Sequence, residues 1–124
     1  MALIVQKYGG TSMGSPDRIR NVARRVARWK AKGHQLVVVV SAMSGETNRL
    51  IALAKDVSPQ PDGRELDVMI STGEQVTIAL LAMALKDIGV EAKSYTGGQV
   101  KVLTDSTFTK ARILNIDEGN MRRD

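Results

Sequence analysis

Leu36-Val37-Val38-Val39-Val40-Ser41-Ala42-Met43-Ser44-Gly45-Glu46-Thr47-Asn48 is the stretch on which the fold turns. Its opening run of branched apolar residues suits a strand that is apolar on both faces, as a central parallel strand covered on both sides would be. The run stops abruptly in small and polar residues, so the carboxyl end of the strand opens into a polar loop. Toward the N-terminus, Gly33 closes a segment in which Ile19, Val22, Ala23, Val26 and Trp29 recur at helical spacing between arginines and lysines. Ser15-Pro16-Asp17 starts that helix, with Ser15 as N-cap, Pro16 at the first helical position and an acid in the first turn. Before it, Leu3-Ile4-Val5 suits a short buried strand running into a turn at Gly9-Gly10. Strand, glycine loop, helix and strand make a βαβ unit.

Toward the C-terminus, residues 49–57 follow a helical pattern. Ser58-Pro59-Gln60-Pro61-Asp62-Gly63 is the clearest connector and separates two helices rather than two domains. Residues 64–71 and 74–88 each suit a helix, with Thr72-Gly73 at the joint. Thr77 is the only polar residue between Val76 and Leu85, so that helix is expected to be buried all round or packed on a partner. Residues 91–95 suit a short strand and residues 100–103 a weaker one, while residues 108–116 carry no clear pattern. The expectation is an α/β fold with three or four strands in a mainly parallel layer. Nothing after Tyr95 has the look of another strong βα unit, as if the fold were incomplete.

Composition narrows the function. The chain has 124 residues, room for one domain, with 43% hydrophobic and 25% charged residues, as in ordinary globular chains. The absence of cysteine removes disulfides, thiolate nucleophiles and cysteine-bound metals. The formal charge of +5 is concentrated in residues 18–32 and at Arg122-Arg123. Without interleaved aromatic residues, that pattern suits a solvated helix face better than a nucleic-acid surface. No apolar run approaches the roughly 18 residues of a membrane span, and the first residues lack the pattern of a signal peptide. A cytoplasmic protein that binds neither membrane nor nucleic acid is expected.

Three polar loops leave strand ends or helix junctions: Lys7-Tyr8-Gly9-Gly10-Thr11-Ser12, the Ser41 to Asn48 loop, and Ser71-Thr72-Gly73-Glu74-Gln75. In open parallel sheets, ligands bind at the carboxyl ends of the strands. Glycines allow backbone N–H groups to approach phosphate oxygens, a lysine neutralises charge on a transferring phosphoryl group, and small hydroxyl residues hold a polar substrate. The first loop is neither a Walker A motif nor a Rossmann fingerprint. Taken alone, it fits a structural turn better than a phosphate site.

The three loops together resemble, in the same order, three signatures of the aspartate kinases, members of the amino-acid kinase superfamily. Ser94-Tyr95-Thr96-Gly97 and Phe108-Thr109-Lys110-Ala111-Arg112-Ile113 also resemble segments of that family, so the likeness covers essentially the whole chain. It implies the three-layer αβα sandwich of the amino-acid kinase fold, incomplete here, with residues 1–124 forming the N-terminal part of the catalytic domain. The activity implied is ATP-dependent phosphorylation of the L-aspartate side-chain carboxylate, with ATP and Mg2+ as cofactors.

By the same resemblance, Lys7 lies against the ATP phosphates, Gly9 and Gly10 bring backbone amides to the phosphoryl group, and Ser41 sits beside the reacting centre. Thr11, Ser12, Ser41, Thr47 and Glu74 form the aspartate side, with Glu74 suited to the α-ammonium. Each also has a plainer reading: Lys7 as a solvated strand-end lysine, Glu74 as an acid favoured by a helix N-terminus. Met43 is a candidate for the substrate pocket. Met69 and Met83 read as core filler, His34 as a surface residue, and Lys110 and Arg112 as phosphate contacts or a solvated basic turn. The nucleotide-binding half and the regulatory modules of the family have no counterpart here, so the chain is expected to be inactive alone. An exposed sheet edge is expected to favour association, with a homo-oligomer or the remainder of a kinase chain as partner. The competing readings are a related kinase acting on another carboxylate, a non-catalytic fragment or assembly partner, and a basic nucleic-acid binder.

Overall fold

Two parallel strands end side by side and bring two of the polar loops to one edge. The computed structural model describes residues 2–96 and the strands Val102–Thr104 and Ile113–Ile116. In chain order the elements are β1 (Leu3–Tyr8), α1 (Pro16–Ala31), β2 (Gln35–Val40), α2 (Glu46–Val57), α3 (Gly63–Asp87), β3 (Val102–Thr104) and β4 (Ile113–Ile116). β1 and β2 pair in parallel, from Leu3 beside Gln35 to Tyr8 beside Val40. The Ser41 N–H extends the pairing by donating to the Tyr8 carbonyl at 3.1 Å. β3 and β4 form a separate antiparallel pair. Gly97-Gly98 and residues 108–112, with Lys110 and Arg112, lie outside the described residues.

α1 follows its sequence closely. The Ser15 hydroxyl accepts from the Arg18 N–H, Pro16 opens the helix, and Ile19, Val22, Ala23 and Val26 are buried. These side chains share one core with Met13, Val40, Leu81 and Leu85, edged by Tyr8, Leu36 and Val38. Full burial of one such aliphatic side chain is worth about 1.5–3 kcal/mol. The core therefore outweighs exposed ion pairs such as Arg20–Asp17 and Arg64–Glu65, which contribute little in high dielectric.

The other face of the sheet differs from expectation. Leu3 is 53% exposed, Val5 66% and Val39 48%, so among the described residues the two strands are covered on one side only. Residues 91–96 run without regular secondary structure, where a strand was expected over 91–95. α2 starts at Glu46, three residues before the apolar pattern begins, because Gly45 adopts a left-handed conformation (φ 81°) that turns the loop directly into the helix.

The largest correction concerns α3. It is one helix of 25 residues, with no joint at Thr72-Gly73. The Ser71 and Thr72 hydroxyls donate to the carbonyls of Val68 and Met69 at 2.8 and 2.6 Å, so they are satisfied without opening the helix. Gly73 serves close packing: a Cβ there would lie 3.0 Å from the Ala42 Cβ and 3.3 Å from the Glu46 Cγ. Nor is the helix buried all round. Gly73, Thr77, Leu81 and Leu85 are buried, whereas Val76 is 51% and Met83 58% exposed, which removes Met83 from the core. Joined into one element, α3 is long and apolar enough to cross a membrane by length and composition. Its buried side, however, packs into the shared core as a core helix does.

Gly73→Val is expected to lower stability by about 1–3 kcal/mol through overpacking against Ala42. Gly73→Ala should cost less, since a methyl group intrudes less and alanine favours the helix. Urea unfolding of the three proteins checks the order.

Candidate functional site

The first loop is built as a shaped cradle. β1 delivers Lys7 and Tyr8, and the chain then turns through residues 9–14. Met13 is fully buried and anchors the loop in the core. Its N–H is shared between the carbonyls of Gly9 and Gly10, at 3.2 Å each. From α1, the Arg18 guanidinium donates to the Thr11 carbonyl at 2.8 Å. Sequence reasoning missed both residues. An isolated apolar residue within a polar glycine loop was the available signal for Met13, whereas Arg18 was hidden in a run of similar arginines.

The second loop lies directly on the first. A Cβ on Gly10 would stand 3.1 Å from the Ala42 carbonyl and 3.5 Å from the Ser44 Cα, so the two backbones touch. The third segment, within α3, closes on the second through Gly73 and through Thr77. Thr77 is fully buried. Its hydroxyl lies 2.9 Å from the Ser41 carbonyl and 3.0 Å from the Glu74 carbonyl, so its one proton serves both acceptors. The only polar residue of an apolar stretch thus ties the end of β2 to the turn of α3 that carries Glu74. Its hydroxyl is part of the site's framework.

The three segments are therefore contiguous, and the expected site residues distribute over them. Lys7 is exposed, on the sheet face away from the core, level with Val39. Gly9 has open space where a side chain would be, and Gly10 is packed against the second loop. Thr11, Ser12 and Glu74 are exposed, while Ser41, Met43 and Thr47 are half-buried. Neither Lys7 nor Glu74 is held in an ion pair among the described residues, so both charges are available to a ligand. Glu46 is committed instead. Its carboxylate receives two bonds from Arg49, at 2.6 and 3.0 Å. That bonding holds the Glu46 carboxyl below its ordinary value against a smaller opposing effect of desolvation.

The arrangement offers a cation, exposed hydroxyls, backbone amides beside an open glycine and a free carboxylate. A dianionic phosphoryl group and an amino acid are the ligand types these groups complement. Two open clefts lie along α1. One of about 660 Å3 runs between Asn21, Arg24, Arg25, Ala27, Arg28 and Ile88. Another of about 170 Å3 reaches the first loop through Tyr8, Ser12 and Arg18. Among the described residues, no group of His, Cys, Asp and Glu side chains is arranged to hold a metal ion. His34 is half-buried, its Nδ1 accepting from the Ala2 N–H.

The amino acid kinase family matches residues 2–123, and the chain belongs to that family. It is 67% identical over all 124 residues to an aspartate kinase of Stutzerimonas stutzeri strain A1501, a match covering 100% of this chain and 30% of that protein. The chain thus spans about 30% of the length of the curated relatives it matches. In structure it is similar to the aspartate kinase of Synechocystis, with a TM-score of 0.77 and 55% identity over 79% of this chain and 17% of that one. Aspartokinase III of E. coli, in a complex with aspartate and ADP, shares the fold at a TM-score of 0.73 and 20% identity, over 91% of this chain and 35% of that one. The fold is that of the amino acid kinases.

Thr77→Val keeps the shape of the side chain and removes the hydroxyl, leaving the Ser41 carbonyl without it. A loss of about 1–2 kcal/mol is expected in urea unfolding. Thr77→Ser keeps the hydroxyl and should retain the hydrogen bond, losing only what one buried methyl group contributes.

Proposed function

We propose that this chain supplies the aspartate side of the active site of an aspartate kinase, which transfers the γ-phosphoryl group of ATP to the side-chain carboxylate of L-aspartate. The observation that carries this reading is that, of the three segments resembling aspartate kinase signatures, the first and third both pack directly on the second, in a chain 67% identical to an aspartate kinase. A carboxylate oxygen of aspartate attacks the γ-phosphorus, the bond from that phosphorus to the bridging oxygen of ADP breaks, and 4-phospho-L-aspartate and ADP result. Lysine, threonine and methionine biosynthesis begins with this product.

Each residue has a separate task. Lys7 stabilises the negative charge that spreads over the transferring oxygens. The backbone at Gly9 and Gly10 approaches the same group, because no side chain intervenes at Gly9. Ser41, at the end of β2, stands beside the reacting carboxylate. Thr11, Ser12 and Thr47 hold the substrate's oxygens, and the Glu74 carboxylate pairs with its α-ammonium. The contribution is orientation: two anions are brought together and held against their repulsion. Magnesium bound with ATP would neutralise phosphate charge. Among the described residues no group of His, Cys, Asp and Glu side chains is arranged to hold it. The adenine-binding residues are proposed to lie outside this chain, which makes the chain inactive alone. It functions in the cytoplasm as part of a longer kinase or as an oligomer, without nucleic acid or membrane as partner.

The test is a chimera in which these 124 residues replace the matching 30% of the Stutzerimonas stutzeri aspartate kinase. With Mg-ATP and hydroxylamine, the chimera should form hydroxamate from aspartate and not from glutamate, and the 124-residue chain alone should form none. Lys7→Met in the chimera should lower kcat by roughly 100- to 1,000-fold. Glu74→Gln should act mainly on the KM for aspartate. A folded chimera that is inactive, or that takes glutamate equally well, would overturn the proposal.

A further inference from the structure

The Glu46–Arg49 ion pair stands at the candidate site and is unlike Arg20–Asp17 and Arg64–Glu65. Those pairs join side chains that are each at least 60% exposed. The Glu46 side chain is only 31% exposed, and Arg49 holds both of its oxygens, from Nε at 3.0 Å and Nη2 at 2.6 Å. A forked contact between guanidinium and carboxylate fixes orientation as well as charge. At the other end of the residue, the Glu46 N–H donates to the Met43 carbonyl at 3.0 Å, where α2 begins. Between these two anchors the stem lies on α3: a Cβ on Gly73 would stand 3.3 Å from the Glu46 Cγ. Each residue of this contact is followed in sequence by one assigned to aspartate, Thr47 after Glu46 and Glu74 after Gly73. The contact therefore sets how far apart α2 and α3 hold their parts of the pocket.

Charge adds a second constraint. L-aspartate brings two carboxylates and one ammonium, and it must come close to the phosphates of ATP. A carboxylate in the pocket wall helps only where the ammonium meets it; elsewhere it repels the substrate. Glu74 is exposed and holds no ion pair among the described residues, so it is free for the ammonium. Glu46 lies one contact away and is also ionised, because bonding from Arg49 holds its carboxyl below the ordinary value. Its charge is cancelled from within its own helix. Without Arg49, the pocket wall would carry a second negative charge with no cation to meet it.

We infer that Arg49 is a positioning residue for aspartate: it pins the Glu46 carboxylate to α2 and neutralises it, which leaves Glu74 as the carboxylate that meets the α-ammonium. Arg49 acts through Glu46 and needs no contact with the substrate. The inference deepens the aspartate kinase reading above and rests on it.

The test uses the chimera described above, with aspartate varied at saturating Mg-ATP. Arg49→Leu removes the cation, and leucine matches arginine in helix propensity, so α2 should persist. The KM for aspartate should rise about fivefold and kcat change less than about twofold, as a change in ground-state binding does. Arg49→Lys keeps the charge and should recover most of the affinity. The deciding variant combines Arg49→Leu with Glu46→Gln. Removing the unpaired carboxylate should return the KM to within about twofold of the unsubstituted chimera. If Arg49 served folding alone, the double variant would be no better than Arg49→Leu. A KM unmoved by Arg49→Leu, or a defect that persists in the double variant, would overturn the inference. A second measurement needs no activity: 13C NMR titration of the Glu46 carboxyl in the 124-residue chain. That carboxyl should titrate below its ordinary range, and Arg49→Leu should move it up. An unshifted Glu46 would refute the inference alone. An inactive unsubstituted chimera beside a shifted Glu46 would refute the aspartate kinase reading, and the inference with it.

Discussion

A parallel strand that ends in a loop leaves its last carbonyl without a strand partner, and in this chain the carbonyl of Ser41 is satisfied from another element. The donor is Thr77, fully buried, 2.9 Å away and 36 residues later in sequence. A buried hydroxyl or carbonyl left unpaired costs about 1–3 kcal/mol, so the two groups hold β2 and α3 at one separation. Gly73 sits one helical turn before Thr77 and meets the Ala42 side chain. A single register of α3 against β2 therefore makes both contacts, and a shift of one residue would lose both. Glu74 lies between them in sequence, and its position relative to Ser41 follows from that register.

The first loop depends on the same contact at one remove. Gly10 rests on the backbone of Ala42 and Ser44, so the cradle is supported by the loop that Thr77 secures. From the other side it is held by the core, through Met13, and by α1, through Arg18. Apolar burial thus positions α1 and α3, the helices position the loops, and the loops present groups that have few partners of their own. Lys7 and Glu74 remain free to meet a ligand because the framework is made of other residues. Such a division suits a site whose work is orientation and charge stabilisation.

Much of this was legible in the sequence because local chemistry and tertiary context agree. The cap at Ser15, the apolar spacing of α1, the branched run of β2 and the first two polar loops all hold. The expectations that failed are those where a local rule met a distant partner. Thr72-Gly73 has the chemistry of a break, yet the glycine is needed for approach to Ala42, a contact sequence spacing does not reveal. Val76 and Met83 belong to an apolar stretch but lie on its outer side, since composition alone does not fix which way a helix faces. The run over 36–40 implied cover on both sides, whereas the described residues cover one. Thr77 stood out as the single polar residue among apolar neighbours, but only the structure links it to Ser41.

The central claim is that three segments separated in sequence already form one amino-acid site within these 124 residues. The most direct measurement is an aspartate titration of the 15N-labelled chain followed by amide chemical shifts. Saturable changes confined to residues 9–14, 41–47 and 73–75, and absent with glutamate, are the predicted result. No change at those amides up to millimolar aspartate, or changes scattered over α1 and α2, would contradict the account.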